Sequence, residues 1–205
     1  MIPKINFIYS DIYQEVYHLP KNYKYNFKID EKFVESYINF ISKEWKKYGS
    51  KILKYIQKIT NLKFKRKEID CFVIKISKYV PISHHLTIPI QGTDGQNILT
   101  LTKEQFFDML VHELIHNLFI DNEKKTKKYF IYIIKKKYRR YSWNTSIHVP
   151  LHAIHKEIFL KFFDENRLKK EIYFASFFPE YKRAWEIVLE EGSKNIIKEF
   201  RKRVK

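Results

Sequence analysis

The spacing of apolar positions divides the chain into elements. Residues 1–29 are rich in aromatics with fragments of period two, such as Tyr23, Tyr25, Phe27 and Ile29, which predicts an early strand or extended segment. From Asp30 the apolar positions Phe33, Val34, Tyr37, Ile38 and Ile41, then Trp45, Tyr48, Ile52, Leu53, Ile56 and Ile59, recur at helical spacing. Gly49-Ser50 interrupts them, so two helices are expected. Ile69, Cys71, Val73, Ile74 and Ile76 predict a short strand by their β-branched enrichment. A second strand is expected over about Leu86 to Gln91, bounded by Pro81 before it and the Gly92-Thr93-Asp94-Gly95 cluster after it. Pro89 cannot donate into a ladder, which favours an edge strand.

The next helix has Thr102 and Gln105 spaced as a capping box, Phe106, Phe107, Leu110, Leu114 and Leu118 as its apolar stripe, and Asp121-Asn122 at its end. Residues 123–141 predict a basic amphipathic helix. Asn144 to Ser146 are then placed to cap a further helix opened by Pro150 in its first turn, with Leu151, Ile154, Ile158 and Phe162 facing inward. The remainder is expected to be helical. The fold class that follows is α+β, mostly helical, with a small mixed sheet whose edge strand precedes the helix at 102–120. The expected organisation is one domain over residues 1–205, with a core over 31–165 and a C-terminal helical part over 166–205.

Within the 102–120 helix, His112 and His116 are four residues apart. A helix stacks such positions on consecutive turns, so both imidazoles can reach one ion. Glu113 lies beside them, close enough to accept a proton from a water that the ion activates. Two histidines leave a catalytic zinc site incomplete, because it ordinarily takes three protein ligands. The downstream candidates are His148, His152, His155 and Glu157. His152 is preferred, since it falls in the first turns of a helix that is apolar on its inward side and stands next to the small Ala153. Those not used as ligands are candidates for orienting the ligands or donating to a developing oxyanion, a role for which Tyr141, Tyr173 and Tyr181 also qualify.

Val111-His112-Glu113-Leu114-Ile115-His116-Asn117-Leu118 resembles the HExxH signature of the zincin clan of zinc-dependent metallopeptidases. The order of helix, strands, edge strand, metal helix and second helix over about residues 31–165 resembles the zincin core. That resemblance implies Zn2+ held by His112 and His116, Glu113 as general base, and a peptide or protein substrate aligned along the edge strand at Leu86–Ile90. The chain continues Asn117-Leu118-Phe119-Ile120 without the glycine and third histidine of the metzincins. The subfamily stays open.

Composition changes this picture in one respect. The formal charge is +17, and 33 of the 40 basic residues are lysines spread along the chain. Such a spread fits a Lys- and Ile-rich composition, while the run Lys135 to Arg140 with Tyr138 and Tyr141 interleaved is a candidate contact for a nucleic-acid backbone. A nucleic-acid-binding protein on a zincin-like scaffold is therefore the alternative to a peptidase. Cys71 is the single cysteine, so no intrachain disulfide forms and no oxidising compartment is needed. The first residues lack an apolar core and cleavage site of the secretory kind, and lysines interrupt every apolar run. A soluble cytoplasmic protein without a transmembrane segment is expected.

Overall fold

A computed structural model describes residues 1–17, 24, 26–77, 81–93 and 97–204, and these form fourteen elements. They gather into two compact units. Two long helices, α2 (Phe27–Thr60) and α3 (Lys103–Asp121), run unbroken through both.

The first unit is built on a sheet. Its strands are β1 (Lys4–Ile8), β2 (Glu68–Ser77), β3 (Ile82–Ser83), β4 (Leu86–Thr93) and β5 (Ile98–Thr100). β1, β2 and β4 run parallel, with Ile5 beside Ile69 and Val73 beside Ile88. β3 and β5 pair antiparallel with opposite ends of β4, so the sheet is mixed. The β-branched side chains of β2 and β4 explain the order, because Val73, Ile74, Ile76, Ile88 and Ile90 are almost wholly buried. The N-terminal helix α1 (Asp11–Tyr17) supplies Gln14. Its amide accepts from the backbone N–H of Lys75 at 2.6 Å and donates to the carbonyl of Ile76 at 2.7 Å, satisfying backbone groups of β2 that a neighbouring strand would otherwise pair. The Lys75 ammonium pairs with the buried Asp30. Tyr37 packs edge-on to Phe106 and donates its hydroxyl to the carbonyl of Leu101 at 2.6 Å, fixing the approach to α3.

Four expectations need correction here. The early strand is β1, preceding α1; Phe27 and Ile29 begin α2, while Tyr23 and Tyr25 lie outside the described residues. No break occurs at Gly49. A Cβ at Gly49 would run into the Trp45 indole, so the glycine makes room for a ring inside a continuous helix. β4 is not a bare edge, since β2 pairs along one side and β3 and β5 cover the two ends of the other. Pro89 falls between those two short pairings, where a missing N–H disrupts least. Of the loop cluster expected after β4, Gly92 and Thr93 belong to the strand, and Asp94 and Gly95 lie outside the described residues.

The second unit is helical: α4 (Glu123–Tyr132), continued by a π-helical turn at Ile133–Lys137, then α5 (Trp143–Phe162), α6 (Glu165–Ala175), α7 (Pro179–Glu191) and α8 (Ser193–Arg203). α5 packs against α6, α7 and α8. Val149, Leu151, Ala153, Ile154, Ile158 and Phe159 of α5 are buried, as are Trp185, Val188, Ile196 and Phe200 of its neighbours. α5 starts earlier than expected, capped by Ser142 and not by a residue between Asn144 and Ser146. The helix opens at Trp143, where the Ser142 hydroxyl accepts the Thr145 N–H at 3.0 Å, and Pro150 lies in its interior. Pro150 removes the bond to the Ser146 carbonyl and crowds it, a cost of about 3 kcal/mol. Burial of so much of α5, together with the cap, offsets that cost. Among the described residues no helix is long and apolar enough to cross a membrane.

Candidate functional site

The capping box opens α3 as its residues require: Gln105 N–H donates to the Thr102 hydroxyl at 3.2 Å, and Thr102 N–H donates to the Gln105 side chain at 2.8 Å. From there Phe106, Phe107, Leu110, Leu114 and Leu118 carry the helix into the interior. His112 and Glu113 are taken with it and become buried. Glu113 then meets Ser83 of β3, whose hydroxyl donates to Oε2 at 2.6 Å, while Oε1 stands 4.0 Å from His112 Nε2.

The early start of α5 matters to its histidines. With Trp143 as the first residue, His148, His152 and His155 occupy positions separated by four and three on one side of the helix. His148 Nδ1 lies 2.7 Å from the carbonyl of Asn144, one turn back. A carbonyl only accepts, so Nδ1 carries the proton and the neutral ring keeps its lone pair at Nε2. That Nε2 faces His116 Nε2 at 3.3 Å. Tyr181 of α7 lies against the His148 ring with centroids 4.4 Å apart, and Trp185 backs His152 at 4.5 Å.

Among the described residues two histidine groups bring ligand nitrogens within 4.8 Å of one another: His112, His116 and His148, and His112, His152 and His155. The first group could hold a metal ion, and one of its pairs has the spacing that a tetrahedral ion requires. Nitrogens about 2.0–2.1 Å from a tetrahedral ion stand about 3.3–3.4 Å apart, which matches the separation of His116 and His148. Nδ1–H donation from a ligand histidine to a backbone carbonyl is the orientation such sites use, and His148 has it. The second group shares His112 but holds neither His116 nor a residue next to Glu113 other than His112.

Burial sets the protonation of the site. It lowers His116 to about 3, aided by the neighbouring His148, and lowers His148 to about 4, so both rings are neutral at neutral pH. Burial likewise lowers His155 to about 3, with Arg167 adding to the effect, and His152 falls well below its ordinary range. The same desolvation raises Glu113 to about 7, with the Ser83 hydrogen bond opposing it. A carboxyl poised there can both take and return a proton.

Other sequence candidates fall elsewhere. Glu157 accepts from the Ser193 hydroxyl at 2.6 Å on the side of α5 that faces α8. The Tyr141 hydroxyl accepts from Arg183 at 2.6 Å, Tyr173 is exposed, and only Tyr181 reaches the histidines. His84 and His85 are exposed at the β3–β4 turn. Ser83 was missed; thirty residues before Glu113 and without a distinctive spacing, it carries no sequence signal. Compared with known protein families, curated proteins and solved structures, the chain matches none.

Proposed function

We propose that the chain is a zinc-dependent peptidase in which His112, His116 and His148 hold the metal and Glu113 is the general base. The observation that carries this reading is the 3.3 Å approach of His116 Nε2 to His148 Nε2 with the other His148 nitrogen committed to a backbone carbonyl. A zinc ion in that group would supply Lewis acidity toward a peptide carbonyl. Glu113 takes the proton of the attacking water and delivers it to the leaving amine; its elevated pKa makes both transfers accessible near pH 7. Ser83 orients the carboxyl through Oε2, leaving Oε1 on the His112 side. Tyr181, whose ring lies on His148, is the tyrosine assigned to donate to a developing oxyanion in this reading. His148 replaces His152 as the preferred third ligand because its nitrogen, and not that of His152, pairs with His116.

Glu113→Gln tests the assignment. The variant is expected to bind zinc as the native chain does and to lose peptide cleavage by at least about a hundredfold, the scale of general-base catalysis. Cleavage of a peptide library at the native rate by this variant would remove Glu113 from the mechanism.

A further inference from the structure

A cavity of about 410 Å³ lies on the helical unit between the last turn of α2 and α8, on the side of α5 that carries Glu157. Its lining includes five cations, Lys58, Lys194, Lys198, Arg201 and Lys202, all exposed at their outer ends. None of the five forms an ion pair among the described residues. This is unlike Lys137 and Arg203 nearby, which pair with Glu191 and Glu199. The one carboxylate in the lining, Glu157, is held by the Ser193 hydroxyl. Ile59 and Ile197 form the apolar part of the lining.

Lys194, Lys198 and Lys202 recur every four residues, so they form a row about 6 Å apart over about 12 Å of α8. A second cavity continues along the same helix and shares Lys198 and Lys202. The positive surface is thus a track, longer than one small anion. Three features identify its occupant. Five positive charges converge against the single carboxylate of Glu157, and this excess favours a polyanion. Four of the five are lysines, whose ammonium groups bind phosphate as point charges. No aromatic ring lines the cavity, so nothing there stacks on an unpaired base.

We infer that the α2–α8 groove binds the phosphate backbone of double-stranded nucleic acid without reading its sequence. The site is separate from the histidine groups and does not depend on the peptidase reading.

The test is fluorescence anisotropy of the full chain with a labelled 20-base-pair duplex of mixed sequence. Five phosphate contacts, one per cation, give a slope of log affinity against log salt of about −4.5, an about 500-fold loss between 50 and 200 mM salt. The variant K194Q/K198Q/K202Q should reduce the steepness by about 2.7, while K32Q/K43Q/K46Q, which removes the same charge from exposed positions of α2, should leave it unchanged. Circular dichroism confirms that both variants are folded. Equal losses in the two variants would mean that net charge and not the groove binds. Absence of binding at 50 mM salt, or better competition by polyglutamate than by unlabelled duplex at equal charge, would overturn the inference.

Discussion

His148→Ala separates the two histidine groups, because only one of them contains His148. In the native chain His148 Nε2 stands 3.3 Å from His116 Nε2, and Nδ1 is anchored 2.7 Å from the Asn144 carbonyl, so the ring is already oriented for an ion. Zinc held by four ligands is bound with about 10–16 kcal/mol, or about 2.5–4 kcal/mol per ligand. Deleting one ligand should therefore weaken zinc by about a hundred- to a thousandfold. His152→Ala is the control. Its ring is fully buried against Trp185, so truncation leaves a cavity and should cost about 3–5 kcal/mol of stability, yet zinc affinity should stay within about tenfold. The assay is competition with a chromophoric chelator at pH 7.5, using variants verified as folded by circular dichroism. Tight zinc in His148→Ala together with lost zinc in His152→Ala would place the ion in the His112, His152 and His155 group and refute the assignment.

Other consequences follow from the same geometry. Ser83→Ala removes the hydrogen bond that opposes desolvation of Glu113, so the acidic limb of the pH–rate profile should move to higher pH; an unmoved limb would deny Ser83 its role. In the metal-free protein the neutral forms of His116, His148 and His155 contribute stability that is present above about pH 6.5 and lost as pH falls toward 4 and 3. Glu113 acts oppositely: its contribution is present below about pH 4.5 and lost as pH rises through 7. At pH 4.5 the buried rings, His152 included, cost more than protonation of Glu113 returns, so urea unfolding should report lower stability than at pH 7. Equal stability at the two values would show that these groups are hydrated. Gly49→Ala should destabilise the chain by about 1–3 kcal/mol in thermal unfolding despite the better helix propensity of alanine, because the new methyl meets the Trp45 indole. A stabilised variant would mean that the indole can move aside.

The chain by itself determined what depends on neighbours a few residues apart. The Thr102–Gln105 cap, the apolar stripe of α3 and the stacking of His112 over His116 are local consequences of helical geometry, and all were legible. So were β2 and β4, whose β-branched runs suit only buried strands, and the basic character of residues 123–141. What stayed hidden depends on energies summed over distant contacts. The Pro150 ring forbids a local hydrogen bond, and only the packing of α5 against α6, α7 and α8 makes the interrupted helix worthwhile; that packing turns His148 onto the same side as His152. Gly49 looked like a helix break because its partner, the Trp45 indole, acts through space as a ring that needs room. Ser83 reaches Glu113 because the sheet brings β3 to α3, a juxtaposition that no spacing along the chain encodes. The tertiary structure thus decided which histidine faces His116 and which hydroxyl meets the carboxyl, since both follow from where whole elements pack.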